Sequence, residues 1–446
     1  MKKVIIIGGV AAGMSAAAKA RRVDKEAVIT VYEKTDVVSW GACGMPYYVG
    51  GFYESPNTMI ARTAEATIKS GIDLKVKHEV LKIDAKNKKV LVKDIINNKE
   101  FEDNYDSLLI ATGAKSIIPN IPNINIGNVS TLKDFSDSIN MREKMKDSNI
   151  KNVVILGAGF IAIEAAHALK HIGKNVTIIQ RSDRVFGNKF DKEFSDMVIE
   201  HIKENVDLHL NEKVQSLEAD NNNNVKAVIT DKGKYDADYV VVAIGVTPNN
   251  DLAREAGIKL MDNGAILVDR EGKTSIDSIY AAGDCASIYD KVLDDQIYAA
   301  LATGANKLGR MVASNLVGGH EKFIGSLTSA CILAFELEAA RTGITEEEAK
   351  KRNINYKTVT IKDLDHTHYY PGYEDLHIKL IYLADSRKII GGQILGKRGA
   401  VLRADVIAAC IHAGLTVDEL GMLDLCYAPP FARTWDSLNV AGNAAK

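Results

Sequence analysis

Short β-branched apolar runs, each leading through a glycine turn into an alanine-rich stretch, set the pattern of the chain. Residues 3–7 read Lys-Val-Ile-Ile-Ile. A run that is apolar at successive positions predicts a strand buried on both faces of a parallel sheet. The alanine-rich residues 12–22 predict a helix and residues 27–32 a second apolar strand. Together they form a βαβ unit with Gly8-Gly9-Val10-Ala11-Ala12-Gly13 at its first turn. The pattern recurs ~150 residues later, which marks an internal repeat. There, residues 152–156 predict a strand, Gly157-Ala158-Gly159-Phe160-Ile161-Ala162 the turn, 163–171 a helix and 175–179 the next strand. From about Gly325 the pattern changes. Thr345 with Glu348 has the spacing of a capping box, residues 377–383 and 388–395 predict a strand pair, and 401–413 an apolar helix. No G-x-G turn occurs there, so this region reads as a separate α+β domain. The fold class expected is α/β, with two Rossmann-like dinucleotide-binding domains followed by that C-terminal domain.

Composition narrows the function classes. Of 446 residues, 46% are apolar and 26% charged, ordinary globular values. The net charge of −2 and the absence of a basic block argue against a nucleic-acid or membrane-surface partner. The uncharged run after Lys2-Lys3 resembles a signal peptide. It is too short to span a bilayer, and its glycines are better explained by the βαβ turn. The five cysteines, Cys43, Cys285, Cys331, Cys410 and Cys426, form no C-x-x-C pair. No zinc-ligand spacing appears, no metal is expected, and the reducing cytoplasm is the expected compartment. Cys285, Cys331 and Cys410 read as small buried hydrophobes; Cys426 reads the same way, with a second thiol near the site, beside Tyr427, as the alternative.

The two turns need glycine for physical reasons. In such a unit the first glycine makes the tight turn, the second admits the pyrophosphate and the third lets helix pack on strand. The phosphates then meet free N–H groups at the positive end of the helix dipole. Gly8 and Gly13 fit in the first turn, with Val10 in the middle place; Gly157, Gly159 and Ala162 fit in the second. Glu33 lies at the end of the second strand, where a carboxylate accepts from ribose hydroxyls. The equivalent end of the second unit carries Gln180, Arg181 and Arg184. Without a carboxylate, and with two guanidiniums, that end suits a 2′-phosphate, so NADPH is expected to be accepted alongside NADH.

The stretch Ser39-Trp40-Gly41-Ala42-Cys43-Gly44-Met45-Pro46-Tyr47-Tyr48 places one thiol before a helix start, with Pro46 in the first turn. A thiol there is expected to have a lowered pKa. Thr112-Gly113 ends one apolar strand, Gly283-Asp284 follows another, and Gly245 closes a third.

In this combination the chain resembles the FAD/NAD(P)-dependent pyridine nucleotide-disulfide oxidoreductase family. The resemblance implies an FAD-binding domain at 1–114 and 247–323, an NAD(P)-binding domain at 115–246, and a dimerisation domain at 324–446. It places Gly8, Gly13, Glu33, Thr112, Gly113, Gly283 and Asp284 at FAD. Gly157, Gly159, Ala162, Gln180, Arg181, Arg184 and Gly245 fall at NAD(P)H. Glutathione-reductase-like members carry a second cysteine five positions from the first; Val38 and Tyr48 stand at those offsets, and residues 417–446 hold no histidine. The chain is therefore identified with the single-cysteine members. Oxidase and peroxidase branches place a histidine in the first glycine helix, where this chain has Val10, Ala11 and Ala12.

Gly-Gly-Val-Ala at 8–11, the Ser39-to-Tyr47 motif and two tyrosine segments (368–372 and 427–430) are similar to the coenzyme A disulfide reductase branch. That branch implies a homodimer in which Tyr427 and one of Tyr369 and Tyr370 reach the partner's Cys43 and protonate a leaving thiolate. It implies a coenzyme A site at Ser15, Lys19, Arg22, Ser39, Asn306, Arg310 and Trp435. Ala42 departs from the asparagine of the well-known members, which leaves room for a persulfide or polysulfide in place of coenzyme A disulfide. An NAD(P)H oxidase and a flavoprotein reductase of an electron-transfer protein are the alternatives.

Overall fold

The computed structural model describes residues 1–446. The apolar runs form two five-stranded parallel sheets. The first is ordered Ile279–Ala281, Ser107–Ile110, Lys3–Ile7, Val28–Glu33, Asp73–Val76. The second is ordered Val129–Ser130, Tyr239–Val242, Asn152–Leu156, Asn175–Ile179, Asp207–His209. The order is the same in both: the strand before the glycine turn is central and the strand after its helix lies beside it. Val4, Ile5 and Ile6, like Val153 and Ile155, are fully buried, as strands covered on both faces must be.

Ile279–Ala281 joins the first sheet after the second sheet is complete, so the first nucleotide-binding layer is built from two separated stretches of chain. The C-terminal sheet is wholly antiparallel, ordered Ala330–Ala334, Leu337–Gly343, Ile389–Gly396, Asp375–Leu383, Tyr356–Leu364. The apolar helix Ala400–Ala413 packs on it through Ala404, Ile407 and Ile411. The expected capping box is half present. The Thr345 hydroxyl accepts from the Glu348 amide, but the Glu348 carboxylate turns outward to Arg352.

The remaining N–H groups of that helix, Glu346–Lys351, are capped from another domain. Asp191 accepts from the amides of Glu346 and Glu347, both at 3.1 Å. The same carboxylate lies 3.1 Å from the Lys379 ammonium, which also bonds Glu193 and Glu346. Asp191 and Lys379 are each only 2% exposed. Burial alone would push the ammonium pKa down; the three carboxylates together raise it above its ordinary value. Lysine thus occupies the centre that three converging carboxylates would offer a metal cation.

Removing the ammonium strands Asp191 as a buried charge. Lys379→Met is expected to lower unfolding stability by about 3–5 kcal/mol, read by urea denaturation. A loss below about 1 kcal/mol would show that the cluster rehydrates freely.

Candidate active site

The helices after both glycine turns begin without help from a side chain. Ala11–Val23 starts behind Val10 and Phe160–His171 behind Gly159; neither has a capping side chain or an acid in its first turn. Their first N–H groups are left for a ligand. Gly8 has a φ of +108°, and a Cβ there would lie 2.3 Å from the Ala111 carbonyl oxygen. Gly13 passes so close to Gly8 that a Cβ would come within 1.9 Å of its carbonyl oxygen. A Cβ on Gly159 would meet nothing within 4 Å, because that position faces open space.

Both helix starts face one cavity of about 2010 Å³. Gly8, Glu33, Thr112, Gly113, Gly283 and Asp284 line its first branch, and Gly157, Gly159, Gln180 and Gly245 its second, with Cys43 on the same wall. Gly13, Ala162, Arg181 and Arg184 lie outside the lining; the first two serve close helix packing instead. Glu33 accepts from Gly9 N–H at 2.7 Å and from the Thr35 amide and hydroxyl at 2.8 Å. A carboxylate has about four lone-pair sites, so one remains for a ribose hydroxyl. The bare N–H groups, the spared lone pair and the room at Gly159 fit a dinucleotide at each turn: FAD at the first and NAD(P)H at the second.

Cys43 sits in the 3-10 turn Ala42–Gly44, ahead of the helix Met45–Val49, and is exposed. The expected lowering of its pKa does not occur. Desolvation raises it, followed by the Glu164 and Asp284 carboxylates; the backbone N–H and Lys133 oppose this only in part. A helix of 5 residues sums few peptide dipoles, and desolvation, joined by two carboxylates, outweighs it. Desolvation pushes Glu164 itself up to about 7 against its hydrogen bond from Tyr47, whose phenol lies 3.5 Å away. Sequence reasoning missed Glu164. Its signal was present: it is the lone carboxylate of the helix Phe160–His171 and stands within the apolar run of residues 160–166.

Two other expectations, on Cys331 and Cys426, are corrected, and Arg184 meets a competing partner. Arg184 is not free, because its guanidinium pairs with Glu347 of the C-terminal domain. Gln180 bonds the Ser182 hydroxyl at 2.8 Å, and Arg181 stands exposed and unpaired. Cys331 and Cys426 are exposed. Cys331 lies on the edge strand Ala330–Ala334 and lines the same cavity as Cys43, while Cys426 lies in an extended segment outside the regular elements. Cys285 and Cys410 are buried as expected.

The residues expected at coenzyme A fall in three places. Ser15, Lys19 and Arg22 share one face of the first helix, and Ser15 donates to Asn306 at 2.6 Å across to the helix Ala302–Leu316, which also carries the exposed Arg310. The Ser39 amide bonds the Gly9 carbonyl at 2.9 Å, beside the first turn. Tyr369, Tyr370, Tyr427 and Trp435 do not line the cavity of their own chain; all four are exposed, Tyr369 at 63%.

Family comparison agrees with this layout. Residues 2–305 match the pyridine nucleotide-disulphide oxidoreductase model and residues 329–438 match the dimerisation domain of the same family. This chain belongs to the pyridine nucleotide-disulphide oxidoreductases. Its C-terminal sheet is thus the family's dimerisation domain, and the working unit is a homodimer. The chain is 37% identical over 446 residues to the NAD(P)H coenzyme A polysulfide/persulfide reductase of Pyrococcus horikoshii, covering 100% of this chain and 98% of that one. It is 32% identical over 444 residues to the NADH oxidase of Enterococcus faecalis, covering 99% of each. The crystal structure of the reduced CoADR-RHD of Bacillus anthracis superposes with a TM-score of 0.94 at 34% identity, over 99% of this chain and 80% of that one.

The electrostatics of Cys43 are testable. At pH 8 a Glu164 carboxyl with a pKa near 7 is ionised and suppresses the Cys43 thiolate. Glu164→Gln is expected to speed alkylation of Cys43 by iodoacetamide at pH 8 by about threefold or more. The difference should shrink below pH 6, where Glu164 is protonated in the native protein. Peptide mass spectrometry resolves Cys43 from the other thiols, and equal rates at pH 8 would refute the coupling.

Proposed function

We propose that this chain is a reductase that takes electrons from NAD(P)H, by way of FAD, to a single cysteine, Cys43. Cys43 is carried as a mixed disulfide with coenzyme A, and the electrons pass on to a coenzyme A disulfide, persulfide or polysulfide. The observation that carries this reading is that one cavity joins both uncapped glycine turns to the Cys43 thiol. For the disulfide the balance is NAD(P)H + H⁺ + CoAS–SCoA giving NAD(P)⁺ + 2 CoASH. FAD supplies a two-electron relay between nicotinamide and sulfur.

The chain's own residues do the rest. Lys19, Arg22 and Arg310 offer cations to the coenzyme A phosphates, with Ser15 and Asn306 between them. Trp435 and the tyrosines come from the partner subunit. Tyr369 is favoured over Tyr370, because its hydroxyl lies 2.9 Å from that of Tyr427. That bond raises the Tyr369 pKa, so the phenol stays protonated and has a proton to give. Tyr370 instead sets its ring edge-on against buried His366, at 5.6 Å between centroids. The domain division at 1–114, 115–246, 247–323 and 324–446 belongs to this reading, as does a place in the reducing cytoplasm. No helix is long and apolar enough to cross a membrane.

An anaerobic assay of the purified protein against coenzyme A disulfide, coenzyme A persulfide, polysulfide and, separately, oxygen tests the proposal. Cys43→Ser is expected to abolish sulfur-acceptor turnover while NAD(P)H still bleaches the flavin. Full turnover in that variant would refute the role of Cys43. Oxygen as the preferred acceptor would move the chain toward the oxidase activity named for the Enterococcus faecalis relative.

Cofactor choice follows from Arg181 and the occupied Arg184. Arg181 alone offers a free guanidinium for a 2′-phosphate, so both cofactors should serve. Glu347→Gln releases Arg184 and is expected to raise the NADPH/NADH ratio of kcat/KM by about threefold or more. An unchanged ratio would place Arg184 outside the cofactor site.

A further inference from the structure

The two tyrosine segments carry little regular structure, yet they meet at fixed points. The Thr367 hydroxyl donates to the Pro429 carbonyl at 3.1 Å, and the Tyr369 and Tyr427 hydroxyls lie 2.9 Å apart. Behind them stands Arg403, on the helix Ala400–Ala413, with a side chain only 11% exposed. Its Nε lies 3.0 Å and its Nη2 2.7 Å from Asp436 Oδ2. The same Nη2 donates to the Asp365 carbonyl at 2.8 Å and the Phe431 carbonyl at 3.4 Å. Asp365 opens the turn that bears Tyr369, and Phe431 with Asp436 closes the segment that bears Tyr427. Asp436 also accepts from the Leu438 amide at 2.9 Å, which anchors it to the C-terminal helix Ser437–Ala444.

We propose that Arg403 is a positioning residue for the tyrosine pair: its guanidinium joins the segment of Tyr369 to the segment of Tyr427 and holds the two phenols in register. The inference rests on the reading that these phenols serve the partner's Cys43. A planar fork suits the task. It reaches a carboxylate and two backbone carbonyls at once, whereas a lysine ammonium at the end of a flexible stem can face Asp436 but cannot span all three. Neither segment has a strand or helix ladder of its own at the tyrosines. The Arg433–Asp363 pair and the Ser437 hydroxyl on the Leu364 carbonyl also join the two segments, at their bases; nearer the phenols the fork is helped only by Thr367 and the hydroxyl contact. A displacement of about 1 Å at a reacting group costs on the order of 100-fold in rate.

The test uses the full-length FAD-loaded dimer in rapid mixing, with the two half-reactions read separately. Arg403→Lys keeps a cation beside Asp436 and is expected to fold. NADPH should bleach the flavin at the wild-type rate, and reoxidation by coenzyme A disulfide should slow by about 10- to 100-fold. In a Tyr369→Phe/Tyr427→Phe background the same substitution should cost nothing further, because there is no phenol left to position. Should Arg403→Lys not fold, Asp436→Asn keeps a helix-capping acceptor and weakens the anchor, with the same pattern expected. Wild-type reoxidation in Arg403→Lys, equal slowing of both half-reactions, or a full additional loss in the phenylalanine background overturns the inference while the tyrosine reading stands. Undiminished reoxidation of the phenylalanine double variant overturns both.

Discussion

A single buried ammonium determines how two of the domains meet. Lys379 belongs to the dimerisation domain, and Asp191 and Glu193 to the second nucleotide-binding domain; Glu346 returns to the first of these. Desolvating so many charges is costly unless each finds its counter-charge at close range. The pairing is therefore satisfied in one relative placement of the domains. Asp191 strengthens that choice, since it also caps the helix Glu346–Lys351 and bonds the Gln393 side chain at 2.5 Å. The cavity wall that runs from Gly159 past Lys189 to Arg341 crosses this same junction. That part of the wall thus depends on the ion cluster as well as on the nucleotide turn.

That dependence explains what was and was not legible in the sequence. The glycine turns were readable because their cause is local: a carbonyl oxygen within 1.9 Å of a would-be Cβ at Gly13 forbids any side chain, whatever the rest of the chain does. The parallel strands were readable because burial on both faces leaves no polar position to confuse the pattern. The pairing of Arg184 was not readable because its partner, Glu347, is 163 residues away. Nothing near Arg184 in the chain announces a carboxylate there. Thr345 and Glu348 show the same limit. Their spacing was that of a capping box, but Glu348 turns to Arg352, and the first two amides of the helix are met by Asp191 from another domain. Cys331 was misread because its strand buries Ile332 and Ala334 on one face and turns Cys331 to the cavity on the other, and which face meets the cavity is set by how the domains pack.

Cys43 illustrates a contest of magnitudes. Its motif places it before a helix start, and a helix dipole lowers a thiol pKa when little opposes it. Here the helix is short and Glu164 arrives from the second nucleotide-binding domain, so two domains share control of one sulfur. The Glu164 carboxyl, itself poised near neutrality, makes that control pH-dependent. Below its pKa it no longer repels the thiolate; above it, it does. Tyr47 follows the same influence, with burial and then Glu164 pushing its phenol up to about 12, so it remains a donor toward the carboxylate.

The protonation problem then passes to the dimer. Within one chain the cavity offers the sulfur carboxylates that repel a thiolate and no phenol from the C-terminal segments. The exposed Tyr369–Tyr427 pair sits on the dimerisation domain, away from its own cavity, beside Phe431 at 76% and Trp435 at 52% exposure. Large aromatics left in water at such levels are characteristic of a surface covered in the assembly. In the proposed mechanism two incomplete halves of this kind complement each other. One chain brings a sulfur whose surroundings disfavour charge, and the other would bring a hydrogen-bonded phenol whose pKa is raised. Separating them onto two copies would make the reaction contingent on assembly, and would give a chain with no histidine after His412 another source for the proton at the sulfur.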